Sequence, residues 1–211
     1  MTDTIELARH RFSFTRPSDP DALLDDPDML EANARDDYMP YWAYLWPGAR
    51  LLAEVVLSEN WTQGTRALEI GCGLGLVGLA GLAAGLHVTF SDYEPLALAF
   101  AAHNARQNGF NAFDTLLLDW RQPPPQTYPV ILGADVLYET KLHPLVAGLV
   151  KQMLVADGLC LLTDPGREAA SGFGQVLAEH GLDFERVRLD RTAWYLEPHG
   201  TLPYDWTRKD G

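Results

Sequence analysis

Three glycines with a characteristic spacing mark the part of this sequence best suited to bind a ligand. Gly73, Gly75 and Gly78 form a GxGxxG pattern, and Asp92 follows Gly73 at about the 20-residue distance expected of a ribose-binding acid. In dinucleotide-binding proteins such glycines bring the backbone close to a pyrophosphate, and the acid accepts hydrogen bonds from the ribose. A tight turn from a strand into a helix has the same glycines without any ligand, so the neighbouring residues must decide.

The acids around this loop favour a ligand that carries positive charge. Glu69 precedes the loop, and further acids follow the next three predicted strands, at Asp92, Asp119 and Asp135. Ligands of open α/β sheets bind at these carboxyl ends of the strands. Each acid alone could be an exposed loop residue, but together they attract a cation and repel a pyrophosphate. S-adenosylmethionine fits, because it carries a sulfonium, an ammonium and a ribose.

The elements that must position these residues alternate along the chain. Residues 66–70, 87–91, 113–118, 128–134 and 159–163 are predicted strands, and the helical patterns cover 48–57, 74–84, 95–108, 143–155 and 172–181. Two β-like runs, 183–189 and 192–197, come last. Strands separated by helices of this length predict a doubly wound, mostly parallel α/β sheet. Residues 70–91 carry no formal charge, but glycines break them into short elements, which predicts a core segment and no membrane span.

Composition and net charge exclude several classes of protein. The chain has 211 residues, of which 47% are hydrophobic and 21% charged, as in a soluble protein with one domain and a modest extension. We expect an acidic N-terminal arm over 1–37, irregular and proline-containing over 17–37, followed by one domain over 38–211. The net charge of −13 argues against a nucleic-acid binder. The N-terminal residues lack the apolar stretch of a signal peptide, which predicts a cytoplasmic protein.

Cysteine and histidine usage predicts neither a disulfide framework nor a metal site. The two cysteines, Cys72 and Cys160, both lie in apolar surroundings. The six histidines show no pair with metal-ligand spacing. We therefore interpret Cys72 as a small apolar residue of the glycine loop.

A wider set of motifs resembles one enzyme family. The motifs are Leu45-Trp46-Pro47 before the first strand of the domain, Glu69 to Gly78, Ser91-Asp92, Asp119-Trp120, and Asp135 to Tyr138. Over about residues 38–190 the sequence resembles the class I, seven-β-strand S-adenosylmethionine-dependent methyltransferases. It is most similar to their protein-lysine methyltransferase branch, which includes the enzyme for the electron-transfer-flavoprotein β-subunit. The resemblance implies a Rossmann-like, mostly parallel seven-stranded sheet with an antiparallel last strand.

This resemblance also implies roles for individual residues at a cofactor site. Trp46 would flank S-adenosylmethionine, and Gly71 and Gly73 would contact its methionine portion. Asp92 would bind the ribose, with Asp119 and Trp120 beside the adenine. The predicted cofactor-binding residues are Trp46, Glu69, Gly71, Cys72, Gly73, Asp92, Asp119, Trp120 and Ala134.

Asp135 and Tyr138 are the predicted catalytic residues. A lysine amine must be neutral to attack a methyl group, and with a reference pKa near 10.4 only about one in a few thousand is neutral at pH 7. Asp135 could orient the amine or receive its proton, and Tyr138 could form part of an aromatic wall that lowers the amine pKa. The alternatives are a helix N-cap for Asp135 and plain core packing for Tyr138. The aromatic residues over 38–46 have the spacing of a packing face, from which we select only Trp46 and Tyr44 as functional.

The sequence therefore predicts a monomeric S-adenosylmethionine-dependent methyltransferase that acts on the ε-amine of a lysine in a protein. It predicts no nucleic-acid and no membrane partner. A methyltransferase for a small amine or another metabolite shares every cofactor feature and stays open. An NAD-dependent oxidoreductase is a more distant alternative, because it leaves Glu69, Trp46 and Trp120 unexplained. A binding module without catalysis is the last alternative, since a fold does not establish a function.

Overall fold

A seven-stranded sheet with helices on both faces forms the centre of the molecule. The computed structural model describes residues 1–25, 39–189 and 193–197. The strands of this sheet are β3 (Arg66–Ile70), β4 (His87–Asp92), β5 (Asp114–Leu117), β6 (Tyr128–Ala134), β7 (Leu154–Asp164), β8 (Glu185–Leu189) and β9 (Ala193–Glu197). The α-helices are α1 (Pro47–Ser58), α2 (Leu76–Ala83), α3 (Pro95–Gln107), α4 (His143–Met153) and α5 (Phe173–Glu179).

The sheet has the doubly wound topology that the sequence predicts. The strand order is β5-β4-β3-β6-β7-β9-β8. Strands β5, β4, β3, β6 and β7 are mutually parallel, and β9 is antiparallel to both of its neighbours. The prediction of a mostly parallel sheet with an antiparallel last strand is confirmed. The largest difference is at β7, which begins at Leu154 instead of residue 159, because Leu154 pairs with Tyr128 across a register shift.

The strand order reverses between β3 and β6, and this reversal positions the site. From β3 the chain continues through β4 to β5 on one side, whereas β6 and β7 lie on the other side. The loops that follow two adjacent parallel strands then diverge and leave a crevice at their carboxyl ends. The glycine loop after Ile70 and the segment after Ala134 therefore border the same crevice.

Two apolar cores lie on the two faces of the sheet. Helices α1, α2 and α3 cover one face, and α4 and α5 cover the other. Helix α2 is buried on almost every side, and a Cβ atom on Gly78 would overlap the ring of Phe90 in β4. The third glycine of the GxGxxG pattern thus allows close packing of a helix on a strand. Among the described residues, no helix is long and apolar enough to cross a membrane.

A two-stranded hairpin precedes the sheet, and the sequence analysis did not predict it. Strands β1 (Thr2–Leu7) and β2 (His10–Thr15) pair antiparallel, and their alternating apolar side chains are buried in the core of α1 and α3. The Asn104 side chain in α3 accepts from the Thr15 N–H at 2.7 Å and donates to the Leu74 carbonyl at 3.0 Å. The hairpin is therefore tied to the glycine loop through one buried amide. The predicted boundary between residues 37 and 38 lies outside the described residues.

Candidate functional site

One cavity of about 490 Å³ opens at the carboxyl ends of the parallel strands. This volume lies within the range of small-molecule and cofactor sites, about 300–1,000 Å³. Its lining includes every residue that the sequence analysis selected for cofactor binding or catalysis: Trp46, Glu69, Gly71, Cys72, Gly73, Asp92, Asp119, Trp120, Ala134, Asp135 and Tyr138. The structure thus brings together residues from five separate parts of the chain, while their individual roles stay predictions.

The glycine loop forms a cradle that side chains would fill. Gly71, Gly73 and Gly75 have φ angles of 57°, 49° and 81°, in the left-handed region that favours glycine. A Cβ atom on Gly71 would lie 3.1 Å from Val136 and 3.3 Å from the Trp120 ring. Because these glycines carry no side chains, a ligand in the cavity could approach the backbone of the loop closely.

Asp92 joins the glycine loop to the end of β4. Its Oδ2 accepts the Gly73 N–H at 2.8 Å, and its Oδ1 accepts the Glu94 N–H at 3.0 Å. Burial raises the pKa of this carboxyl group to about 6, although both hydrogen bonds stabilise the anion. The position of Asp92 at the cavity wall fits an acceptor for ribose hydroxyls. The two hydrogen bonds from backbone N–H groups hold its carboxylate in one orientation.

Glu69 is almost fully buried, with 3% of its surface exposed. Its Oε2 accepts the Gly78 N–H at 2.9 Å, in the first turn of α2. Burial raises the pKa of Glu69 to about 8, and the neighbouring Asp92 charge adds to this rise. The sequence analysis assigned Glu69 only to a cationic ligand, whereas the structure adds a helix-capping role.

The ion pair of Asp119 and the burial of Cys72 each restrict the chemistry of that side chain. Arg121 Nε lies 2.8 Å from Asp119 Oδ1, and this interaction lowers the pKa of Asp119. Arg121 also lies over the Tyr93 ring at the cavity rim, with 5.5 Å from Cζ to the ring centroid. Burial raises the pKa of the Cys72 thiol well above its usual range, so it stays protonated and apolar, as predicted.

Asp135 does not cap a helix. Its backbone is left-handed with a φ of 58°, and the residue before α4 is Leu142. Arg167 Nη1 lies 2.7 Å from Asp135 Oδ1, and the Asp135 residue is only 6% exposed. A Cβ atom on Gly48 would overlap Asp135 Oδ2, so the start of α1 approaches this carboxylate closely. The N-cap alternative is therefore wrong, and a buried ion pair replaces it.

Aromatic side chains form one wall of the cavity. The Tyr41 ring makes edge contacts with Tyr138 and Trp46, at centroid distances of 5.3 and 5.8 Å. The Tyr44 ring also lies near the Trp46 ring, with 5.9 Å between the two ring centroids. Burial raises the pKa of Tyr138 to about 12, so its phenol is neutral at physiological pH.

The aromatic cluster of 38–46 thus serves two purposes. Trp42 is buried and packs on Phe100 in the core, as the spacing predicts for a packing face. Tyr41, Tyr44 and Trp46 line the cavity, to which Trp42 also contributes, and Tyr38 lies outside the described residues. The sequence analysis missed Tyr41, because helical spacing does not show that the segment is only a short 3₁₀ turn over Tyr41–Ala43.

The donor set fits S-adenosylmethionine. The cavity offers a bare glycine loop, carboxylates near backbone amides at Glu69 and Asp92, and an indole at Trp120. The glycine loop and Glu69 would hold the amino acid portion, Asp92 would hold the ribose, and Trp120 would lie beside the adenine. The carboxylates at Glu69 and Asp92 would repel a pyrophosphate, which disfavours NAD.

Comparison with known proteins identifies relatives of this chain. A family model described as lysine methyltransferase matches residues 41–177. The chain is 29% identical over 174 residues to the electron transfer flavoprotein beta subunit lysine methyltransferase of Xenopus laevis, covering 75% of the chain and 70% of that protein. It is 34% identical over 159 residues to the ribosomal protein L11 methyltransferase of Xanthomonas campestris, covering 75% of the chain but only 46% of that protein.

Solved structures share the fold. The ribosomal protein L11 methylase of Lactobacillus delbrueckii subsp. bulgaricus has a TM-score of 0.63 at 16% identity, over 75% of this chain and 81% of that one. The N-methyltransferase NodS of Bradyrhizobium japonicum, in complex with S-adenosyl-l-homocysteine, has a TM-score of 0.56 at 19% identity, over 86% and 92%. At these identities the likeness concerns the fold alone.

Proposed function

We propose that this chain, which belongs to the lysine methyltransferase family, methylates the ε-amine of a lysine in a protein. The family establishes the reaction class, so the chain is an S-adenosylmethionine-dependent methyltransferase. Lysine methyltransferases recur among its relatives, and their acceptors are proteins by name. The part that we propose is that the methyl acceptor of this enzyme is a lysine in a protein.

The observation that carries the proposal is the aromatic wall beside a buried carboxylate. The Tyr41 ring makes edge contacts with both Trp46 and Tyr138, and Asp135 borders the same cavity. An apolar wall disfavours the ammonium form of lysine and so raises the fraction of neutral amine. Asp135 then supplies an acceptor that orients the amine N–H or receives its proton.

Methyl transfer needs alignment more than chemical activation. S-adenosylmethionine would supply a methyl group bonded to a sulfonium, and in-line attack of a neutral amine on that carbon would break the carbon–sulfur bond and release S-adenosylhomocysteine. In this chain, the glycine loop and Asp92 would hold the donor, and Tyr138 and Trp46 would exclude water from the acceptor. Asp135 would remove or orient a proton at the amine nitrogen.

Charge supports a protein acceptor rather than a nucleic acid. The chain carries a net charge of −13, and nucleic-acid partners need a positively charged face. We further propose a monomeric enzyme that acts in the cytoplasm. Salt-sensitive binding of duplex DNA or RNA in a gel-shift assay would contradict this part of the proposal.

The direct test uses radiolabelled methyl groups. We expect the purified chain, with tritiated S-adenosylmethionine, to label proteins in a lysate, and mass spectrometry to locate the label on lysine. Ribosomal protein L11 and the electron-transfer-flavoprotein β-subunit, named for two relatives, are the first purified acceptors to try. The matched control is Tyr138→Phe, which keeps the aromatic wall and should keep most of the rate, whereas Tyr138→Ala should not.

The proposal fails if label appears only in small metabolites after the proteins are removed. A folded chain that binds S-adenosylhomocysteine but labels only metabolites would be a small-molecule methyltransferase. Ligand binding is checked separately by thermal shift, because any ligand that binds only the native state raises the midpoint.

A further inference from the structure

We propose that Arg167 is a positioning residue for methyl transfer, which holds the Asp135 carboxylate ionised and oriented while it also supports Trp46. This inference rests on the proposed function, since it concerns the carboxylate at the cavity wall that is proposed to act on the acceptor amine. Arg167 is absent from the cavity lining, so it acts through the two lining residues that it contacts.

The Arg167 guanidinium is fixed from two sides by carboxylates. Its Nη1 lies 2.7 Å from Asp135 Oδ1 and 2.8 Å from Asp164 Oδ2. Asp164 Oδ1 in turn accepts the N–H groups of Gly166 and Arg167 at 2.8 and 2.7 Å. The turn after β7 therefore presents Arg167 in one orientation toward the end of β6.

Arg167 also reaches the aromatic wall. Its Cζ lies 5.6 Å from the centroid of the Trp46 ring, within the range of a cation–π contact. Trp46 is held further by its Nε1–H, which donates to the Tyr41 carbonyl at 2.8 Å. One side chain thus contacts a catalytic candidate and a cofactor-flanking candidate that come from distant parts of the chain.

The surroundings of Asp135 explain why it needs this partner. Desolvation raises the pKa of Asp135, Asp164 raises it further, and Arg167 lowers it. The remaining neighbour is the start of α1 at Gly48, whose backbone favours the anion. Among the described groups that shift the Asp135 pKa, Arg167 carries the positive charge, so its removal favours the protonated acid.

A protonated Asp135 cannot receive a proton from the acceptor amine. We therefore expect Arg167→Gln to lose activity most strongly at the acid end of the pH range and to recover as the pH rises. A side chain that only stabilises the fold would reduce the rate by the same factor at every pH. This difference separates positioning from a merely structural role.

The experiment measures the pKa of the Asp135 carboxyl group by NMR and, separately, the rate of methyl transfer. Carbon-13 NMR titration, with the Asp135 signal assigned from Asp135→Asn, should give a higher pKa in Arg167→Gln than in wild type, because the cation that favours the carboxylate is removed. Arg167→Lys, which keeps the positive charge, should restore part of this difference. Arg121→Gln is the matched control, since Arg121 pairs with Asp119 and should leave the Asp135 pKa unchanged.

The activity arm uses the acceptor identified by labelling, across about pH 6 to 9. We expect the rate of Arg167→Gln relative to wild type to rise at least tenfold across this range, with S-adenosylhomocysteine affinity within about twofold. An unchanged Asp135 pKa, or a rate loss independent of pH, would overturn the inference. If the wild type methylates no protein, the proposed function fails, whereas the NMR titration still decides the role of Arg167.

Discussion

The buried Glu69 carboxyl group makes the stability of the unliganded protein depend on pH. In the folded chain its pKa is about 8, whereas the unfolded value is 4.5. A raised pKa means that the folded state holds more protons than the unfolded state between these values. The contribution of Glu69 is therefore fully present below about pH 4.5 and is lost as the pH rises through 8.

Glu69→Gln removes this dependence and keeps the hydrogen bond. A glutamine oxygen can accept the Gly78 N–H that Glu69 Oε2 accepts at 2.9 Å. One pKa unit corresponds to about 1.4 kcal/mol, so the free energy of unfolding of wild type should fall relative to the variant by roughly 3 kcal/mol between pH 5 and pH 8. We expect near-equal stability at pH 5 and a more stable variant at pH 8.

Urea unfolding, followed by tryptophan fluorescence without ligand, measures this difference. The slope with urea should be the same in both proteins, so that the midpoint reports stability alone. Glu6→Gln is the matched control, because it makes the same substitution at a side chain that is 74% exposed. A wild-type-to-variant difference that stays constant from pH 5 to pH 8 would refute the reasoning.

The same substitution should have the opposite effect on ligand binding. If Glu69 binds the ammonium of the cofactor, Glu69→Gln should weaken S-adenosylhomocysteine binding about tenfold or more at pH 8, by loss of a charge-assisted hydrogen bond. Calorimetric titration at both pH values measures this. A variant that is more stable and binds more weakly would show that Glu69 destabilises the unliganded fold at pH 8 but strengthens ligand binding.

Three further substitutions test other parts of the site. Asp92→Ala should weaken S-adenosylhomocysteine binding tenfold or more in calorimetry, since charge-assisted hydrogen bonds contribute about 1.5–3 kcal/mol each; unchanged affinity in a folded protein would remove Asp92 from the site. Asp135→Asn should lower methyl transfer by roughly 10²–10⁴ while cofactor affinity changes by less than about 1 kcal/mol, and a full rate would exclude its catalytic role. Gly48→Ala should displace the Asp135 carboxylate that a Cβ atom would overlap, and so reduce the rate in the same assay; wild-type kinetics would show that α1 can shift at no cost.

The glycine loop and its flanking elements were predictable because local patterns determine them. The apolar run before Gly71 and the glycine spacing predict a strand, a turn and a helix, and β3 has the predicted bounds, Arg66–Ile70. The acids after each strand follow from the same logic, since parallel strands bring their carboxyl ends to one edge. All of the selected residues accordingly line one cavity.

Other features depend on contacts that no local pattern shows. The ion pair of Asp135 and Arg167 joins the ends of two strands, and nothing in the sequence reveals the left-handed backbone that aims Asp135 toward it. The hairpin was missed for a different reason. Its apolar alternation is present, but the Ala8-Arg9 connection contains neither glycine nor asparagine, although Ala8 has a φ of 49°. Tertiary packing overrides the local preference at both places.

The acids at the cavity are not equivalent, and this changes the electrostatic argument made from the sequence. Glu69 and Asp92 accept hydrogen bonds from neutral backbone amides, which do not cancel the charge that each carboxylate carries when it is ionised. Asp92, with a pKa of about 6, is ionised at neutral pH, whereas Glu69, with a pKa of about 8, is mostly protonated until a cation binds beside it and lowers that pKa. Asp119 and Asp135 pair with arginines, whose positive charge cancels the negative charge of these two carboxylates. The cavity therefore attracts a cation at the glycine loop, where the positive portion of the cofactor is expected.

The opposite requirement holds for the acceptor. An unpaired carboxylate beside a lysine would stabilise its ammonium form and oppose the attack on the methyl group. The Arg167 charge cancels this effect at Asp135 and still leaves a carboxylate oxygen as a proton acceptor. Pairing with arginine would thus allow Asp135 to lie beside an amine that must be neutral, whereas the proposed task of Glu69 and Asp92 needs carboxylates without such a counter-charge.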